Sequence, residues 1–137
     1  LWVTSIQVAL VPSHQLIWCQ EEKQFVVLLK YIMSEKEEFI KAQVKDNKVV
    51  VYSKTRCPFC KKAKDALKAA GLKDYLLIEL DERDDGDEFQ DALQKITGGR
   101  SVPRVFIGGT FVGGGDDVQV LQNKGQLKPK LENAGAL

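Results

Sequence analysis

The chain of 137 residues has one histidine, three cysteines, little net charge and no long apolar run. The single histidine, His14, lies before residues 33–137, which have a regular pattern of helices and strands. A catalytic cysteine in that region would have no histidine base within it, which excludes an enzyme of the Cys–His type there. Three cysteines are too few, and odd in number, for a disulfide-stapled secreted protein. A net charge of +1 indicates no nucleic-acid partner.

Residues 1–32 are the least regular part of the chain. No apolar run there reaches the roughly 20 residues of a transmembrane helix, so no membrane partner is expected. No Lys or Arg precedes the apolar part and no small-residue cleavage site follows it, which argues against a signal peptide. The sole methionine is Met33. Two interpretations stand side by side: an N-terminal extension that is disordered, or upstream sequence that is not native to the protein. Cys19 is interpreted as an incidental thiol.

The most informative motif is Cys57-Pro58-Phe59-Cys60. A β-branched run over residues 48–53 is typical of a buried strand, and residues 61–70 have the period of a helix. Two cysteines at this spacing, where a helix follows a strand, favour a reversible disulfide and thioredoxin-like redox chemistry. The alternative is half of a zinc site, which lacks the second pair of cysteines or histidines that would complete it.

Of the two cysteines, Cys57 is the predicted nucleophile. It lies where the unpaired amides at the start of the helix point, with Lys54 and Arg56 close in sequence, and these groups favour the thiolate over the thiol. Cys60 lies one helical turn further in, better shielded and suited to resolve a disulfide bond formed on Cys57.

Charged residues are unevenly distributed: Lys and Arg are the most frequent within residues 54–73, and Asp and Glu within residues 79–88. This predicts either two solvated faces or a surface that attracts anionic thiols or partners.

Residues 33–137 have the pattern of one α/β domain. The predicted elements are, in order, a helix to about residue 44, a strand at 48–53, a helix closed by Gly71, a strand at 75–80, a helix at 87–96, strands at 102–107 and 110–112, and short helices after Asp116 and near Pro129. A strand, a crossover helix and a second strand pair in parallel. The glycine turn at residues 108–109 predicts an antiparallel hairpin.

Residues 33–137 resemble a dithiol glutaredoxin. The resemblance rests on segments in a fixed order: Lys54, the motif at 57–60, Gln90, Thr-Gly-Gly-Arg-Ser-Val-Pro at 97–103, and Gly-Gly-Gly-Asp-Asp at 113–117. Each segment alone is weak evidence for this family, but all of them in this order are specific for it. The resemblance implies a thioredoxin-like three-layer fold, in which a four-stranded mixed sheet is flanked by about five helices.

The resemblance also implies a function. The expected protein is a glutathione-dependent thiol–disulfide oxidoreductase of electron transport and cell redox homeostasis, with Cys57 as nucleophile and Cys60 as resolving cysteine. Its partners would be glutathione, as electron donor and co-substrate, and glutathionylated or disulfide-containing proteins. Glutathione reductase would act indirectly by recycling the donor. We expect a cytoplasmic monomer that holds no metal.

The expected glutathione site follows from the same resemblance. Backbone groups of Val102, before a cis Pro103, pair with the cysteinyl part of glutathione, and the γ-glutamyl end meets the start of a helix. The predicted contacts are Lys54, Phe59, Gln90, Arg100, Ser101, Val102, Pro103, Gly115, Asp116 and Asp117. For four of these the alternative is purely structural, with Lys54 and Gln90 on the surface, Arg100 paired with the acidic run, and Asp116 as a helix cap only.

Two other functions stay open at this point. One is a general disulfide reductase of the thioredoxin type, which residues 100–103 and 116–117 argue against. The other is an iron–sulfur module in which two chains and two glutathiones share a cluster through Cys57. Pro58 argues against the cluster because it stiffens the loop.

Overall fold

The computed structural model describes residues 24, 26–28 and 31 and residues 35–137. The chain divides into two units, Leu1–Ser34 and Glu35–Leu137, and the fold described below is that of the second unit. The predictions for residues 1–32, including that for Cys19, fall almost entirely outside the described residues. Among the residues that are described, no helix is long and apolar enough to cross a membrane.

The second unit contains five α-helices and four strands in the predicted order. In sequence they are α1 (35–46), β1 (Val49–Ser53), α2 (Pro58–Ala69), β2 (Leu76–Glu79), α3 (Gly86–Thr97), β3 (Arg104–Ile107), β4 (Thr110–Gly113), α4 (Gly115–Asn123) and α5 (Leu127–Asn133). One short 3-10 turn, Leu80–Glu82, follows β2. The prediction of an α/β fold with a four-stranded mixed sheet is confirmed.

The sheet has the strand order β2-β1-β3-β4. The β1–β2 pair is parallel, with Val50 opposite Leu76 and Ser53 opposite Glu79. This parallel pair is the one that the crossover helix predicts. The β3–β4 pair is antiparallel, as the glycine turn predicts, and the β1–β3 pair is antiparallel as well. β1 is an interior strand, and α2 follows its carboxyl end along the chain.

The core lies in two layers, one on each face of the sheet. Because side chains alternate along a strand, Val49 and Val51 of β1 pack with Leu67 of α2 on one face. Val50 and Tyr52 pack on the other face, in a cluster that includes residues of α1 and α3. The fully buried Tyr52 donates a hydrogen bond to Gln43 Oε1 at 2.8 Å, and burial raises the pKa of its hydroxyl.

Proline determines where two elements begin, and one of these boundaries differs from the predicted one. Helix α2 begins at Pro58, directly after Cys57 as predicted, since a proline at the first helical position loses no hydrogen bond. Strand β3 begins at Arg104 and not at residue 102, because Pro103 has no amide to donate and follows a cis peptide bond. The later start of β3 lengthens the loop that lies beside Cys57.

Candidate redox site

Cys57 is the N-cap residue of α2. Its backbone is extended, with φ −116° and ψ 114°, and its sulfur accepts a hydrogen bond from the amide of Cys60 at 3.2 Å. Pro58 occupies the next position and supplies no competing donor. A half-buried sulfur at a helix N-terminus meets free amides and the positive end of the helix dipole, and both stabilise a thiolate.

Cys60 is fully buried and, like Cys57, is a free thiol. Burial, followed by its hydrogen bond with Cys57, raises the pKa of the Cys60 thiol to about 11, against the opposing effect of hydrogen bonds from the Lys54 backbone and the Ser53 hydroxyl. The two cysteines are therefore chemically distinct: Cys57 is accessible to a substrate, and Cys60 is a shielded thiol one turn behind it.

The loop before β3 lies beside Cys57. The peptide bond between Val102 and Pro103 is cis, as predicted, and the Cys57 thiol donates to the Val102 carbonyl at 3.7 Å. The neighbouring Ser101 accepts hydrogen bonds from Arg104, at 2.8 Å through its carbonyl and at 3.0 Å through its hydroxyl. These two hydrogen bonds from Arg104 fix the loop in which the Val102 carbonyl contacts the Cys57 sulfur.

The loop that carries Lys54 is held by a contact that the sequence analysis missed. Both carboxylate oxygens of Asp81 accept from the Thr55 amide at 3.0 Å, and one also accepts from the Thr55 hydroxyl at 2.5 Å. These hydrogen bonds lower the pKa of the exposed Asp81 carboxyl. Lys54 is half-buried and lies near enough to act electrostatically on Asp81. No local pattern pairs residues 26 positions apart, so only the fold reveals this anchor.

Helix α3 holds Arg100 through several of its side chains. The amide nitrogen of the buried Gln90 donates to the Arg100 carbonyl at 3.0 Å. The Arg100 guanidinium pairs closely with Asp91 and lies 3.4 Å from Asp87. Gln90 is thus not a surface residue, and the alternative in which Arg100 pairs with acidic residues is realised in the structure.

The start of α4 meets the start of α2. A Cβ atom on Gly115 would lie 2.3 Å from the Phe59 carbonyl oxygen, so only glycine permits this approach. Asp116 pairs with Lys62 of α2 at 2.9 Å, and the Asp117 carboxylate accepts from the Gly114 amide at 2.9 Å. Asp117 therefore caps α4.

Some of the predicted glutathione contacts lie beside Cys57 or the start of α2, and others have charged groups that already bind other residues of the chain. Val102 lies next to the Cys57 sulfur, and the glycine-rich start of α4 contacts the first turn of α2. Arg100, Asp116 and Asp117 have their charged groups engaged with protein partners. Phe59 is half-exposed, with the Lys62 ammonium 5.4 Å from its ring centre.

Within the described residues, no group of three or more His, Cys, Asp or Glu side chains is arranged to hold a metal ion.

Comparison with known proteins gives a consistent result. The family model described as Glutaredoxin matches residues 49–112. A glutaredoxin of Ricinus communis is 48% identical over 97 residues, which cover 71% of this chain and 94% of that protein. Oxidized glutaredoxin 2 from Chlamydomonas reinhardtii superimposes with a TM-score of 0.73 at 53% identity, covering 77% of this chain and 98% of that one. The buckwheat glutaredoxin–glutathione complex gives a TM-score of 0.74 at 39% identity, covering 78% and 96% of the two chains.

Proposed function

This chain belongs to the glutaredoxin family of glutathione-dependent thiol oxidoreductases, and we propose that it removes glutathione from glutathionylated proteins and reduces a subset of protein disulfides. Cys57 is the nucleophile in both reactions. Cys60 takes part only in the second. The observation that carries this assignment is the Cys57 sulfur itself, which caps α2 within reach of the Cys60 amide and the Val102 carbonyl.

In the first reaction, the Cys57 thiolate attacks the glutathione sulfur of a protein mixed disulfide. A bond forms between these two sulfurs, the bond to the substrate protein breaks, and the substrate leaves as a thiolate that takes up a proton. A second glutathione then attacks the sulfur of the bound glutathione, so that oxidised glutathione leaves and the Cys57 thiolate is restored. The helix N-terminus assists this second step because a stabilised thiolate is a good leaving group.

In the second reaction, Cys57 attacks a protein disulfide and forms a mixed disulfide with the substrate. Cys60 loses its proton and attacks the Cys57 sulfur, which releases the substrate thiolate and leaves a disulfide between the two cysteines. Two glutathiones reduce that disulfide. A separate glutathione reductase recycles the oxidised glutathione.

The proposed glutathione site surrounds Cys57. The Val102 backbone pairs with the cysteinyl part in the manner of an added strand, and the amides at the start of α4 meet the γ-glutamyl carboxylate. Lys54, Gln90 and Arg100 lie toward the glycyl carboxylate. Support comes from the position of Val102 beside the sulfur and from the buckwheat relative, whose structure is a complex with glutathione.

We further propose a cytoplasmic monomer, in keeping with the sequence-based expectation. Glutathione must reduce the cysteine pair back to free thiols after each reaction, and this requires a reducing compartment. That requirement supports the cytoplasmic location. Fractionation of cells that express a tagged full-length chain tests the location, and light scattering of the purified protein tests the oligomeric state.

The direct test of the function compares wild type, Cys60→Ser and Cys57→Ser on a glutathionylated protein, with glutathione and glutathione reductase present. We expect Cys60→Ser to keep the activity and Cys57→Ser to lose it. Inactive wild type, together with reduction of insulin driven by thioredoxin reductase, would instead assign the chain to the thioredoxin-type reductases.

A further inference from the structure

The first residue of β3, Arg104, holds the loop that precedes the strand. Its Nε atom donates to the Ser101 carbonyl at 2.8 Å, and its Nη2 atom donates to the Ser101 hydroxyl at 3.0 Å. Both hydrogen bonds come from one planar guanidinium group, so together they fix the position and the orientation of Ser101. The next residue is Val102, whose carbonyl contacts the Cys57 sulfur. Arg104 is not among the predicted glutathione contacts, yet it holds the neighbour of the residue beside the sulfur.

The guanidinium group also contacts an aromatic ring and lies close to a glycine. Arg104 Cζ is 5.3 Å from the centre of the Phe111 ring, a favourable distance for a cation–π contact. A Cβ atom added to Gly99 would lie 2.7 Å from Arg104 Cζ and closer still to Nη2. The Gly99 carbonyl accepts from the hydroxyl of Thr97, the last residue of α3, at 3.2 Å. Contacts with β4 and with the end of α3 therefore keep the guanidinium group in place.

The contact with Arg104 explains why residue 99 is a glycine, which its backbone conformation does not. Gly98 has a φ of 83°, in the left-handed region that favours glycine, whereas Gly99 lies outside that region. Alanine at this position would therefore be unstrained apart from its overlap with Arg104. Because the overlapping atoms are at the far end of a flexible side chain, the guanidinium group can move aside while the fold persists. Gly99→Ala should thus break the hydrogen bonds to Ser101 without altering either partner.

We propose that Arg104 is a positioning residue for glutathione, which holds Ser101 so that the Val102 backbone is already placed to pair with the cysteinyl part of the ligand. This inference rests on the proposed glutathione site. A loop that is fixed before binding loses less conformational entropy when a ligand pairs with it, so the affinity is higher. The role requires the two donors of the guanidinium group and not its positive charge alone.

The test measures the equilibrium between Cys57 and glutathione disulfide in the full chain. All proteins carry Cys19→Ser and Cys60→Ser, which leave Cys57 as the reacting thiol. The Cys57 thiolate attacks glutathione disulfide, so that one glutathione becomes bonded to Cys57 and the other leaves as a thiolate that takes up a proton. Mass spectrometry of acid-quenched samples, equilibrated at fixed ratios of glutathione to its disulfide, gives the equilibrium constant.

A parallel series uses mercaptoethanol and its disulfide. This ligand undergoes the same exchange with Cys57 but has no peptide group to pair with Val102. A change in the Cys57 thiol itself affects the equilibrium constants of both ligands. The ratio of the two constants therefore isolates the contacts that the protein makes with the rest of glutathione.

Three single substitutions disrupt the hydrogen bonds to Ser101 in different ways. Arg104→Ala removes the guanidinium group. Arg104→Lys keeps the charge but not the planar pair of donors. Gly99→Ala displaces the guanidinium group and retains Arg104, so it keeps the test valid if Arg104→Ala is poorly folded. Combining Gly99→Ala with Arg104→Ala completes a double-mutant cycle, because the added methyl group then has no guanidinium to displace.

We expect each single substitution to lower the equilibrium constant for glutathione about tenfold, in keeping with the loss of hydrogen bonds from a charged donor. The constant for mercaptoethanol should stay close to that of the parent protein, because the contacts of Cys57 with the start of α2 are unchanged. The double variant should match Arg104→Ala, since Gly99→Ala acts only through the guanidinium group. A merely structural defect would lower both constants and would add to the effect of Arg104→Ala.

The possible failures are distinguishable. An unchanged ratio of the two constants in Arg104→Ala would overturn the role of Arg104 and leave the proposed function intact. The same holds if Arg104→Lys keeps the ratio of the parent protein, or if the effects of Gly99→Ala and Arg104→Ala add. A parent protein that shows no preference for glutathione over mercaptoethanol would overturn the proposed glutathione site, and the inference with it.

Discussion

The backbone amide of Cys60 donates a hydrogen bond to the Cys57 sulfur across 3.2 Å. The amide belongs to the same residue whose thiol attacks Cys57 in the proposed resolving step, so one residue both stabilises the nucleophile and later displaces the substrate from it. Negative charge on Cys57 in turn disfavours negative charge on Cys60.

Folding favours the protonated form of Cys60, and stability should depend on pH accordingly. The pKa of this thiol is raised from 9.0 to about 11, so its stabilising contribution is fully present below pH 9 and is lost as the pH rises toward 11. Over that range we expect the free energy of unfolding of wild type to fall by about 2–3 kcal/mol more than that of Cys60→Ala. Urea denaturation at a series of pH values measures this, and parallel pH curves for the two proteins would contradict it.

Gly115→Ala should destabilise the fold and weaken glutathione binding. The added Cβ atom would lie 2.3 Å from the Phe59 carbonyl oxygen, so α4 must move away from α2. We expect a loss of about 1–3 kcal/mol in thermal or urea unfolding, together with a higher KM for glutathione. Gly114→Ala is the matched control, since its Cβ atom would have no neighbour closer than 3.6 Å. Equal effects of the two substitutions would show that the contact with Phe59 is unimportant.

Asp81→Asn should raise the KM for glutathione while changing kcat less. The substitution removes the charge that anchors Thr55, and with it the fixed position of the loop that carries Lys54. An increase of about fivefold is expected from the loss of a charge-assisted hydrogen bond. Asp84→Asn is the control, because it removes the same charge from an exposed residue of the same acidic segment. A KM as low as that of the control would exclude the anchoring role.

Asp91→Asn tests whether the ion pair with Arg100 competes with the ligand. Arg100 is proposed to lie toward the glycyl carboxylate of glutathione, yet its guanidinium is engaged by Asp91. Removing the competing carboxylate should lower the KM for glutathione about twofold to threefold, a modest change because the pair is partly exposed. Steady-state kinetics at low and moderate ionic strength measure it, again with Asp84→Asn as control. A higher KM would show that Asp91 orients Arg100 for binding.

Much of the fold could be predicted because strong local signals agree with the tertiary structure. The β-branched residues 49–51 form the buried strand that their composition predicts, and the glycine turn at 108–109 joins an antiparallel hairpin. The cis bond before Pro103 was expected from the family resemblance and is present. The predicted start of β3 was wrong by two residues, because Pro103 has no amide to donate and the strand begins only after it.

The contacts of the site were harder to predict. The resemblance placed Arg100 in the glutathione site, but whether the Arg100 guanidinium binds Asp91 depends on the spacing of α3 from the loop, which no local pattern encodes. The hydrogen bonds from Thr55 to Asp81 join separate segments in the same way.

The approach of α4 to the first turn of α2 has an evolutionary consequence. The two helices begin close together, with Gly115 of α4 against Phe59 of α2, so the positive ends of both helix dipoles lie near each other. Point mutations readily replace a lysine on the surface, but they leave the peptide dipoles of a helix in place. The positive potential at the start of these helices is therefore inherited with the backbone, and the surrounding charged side chains are free to diverge.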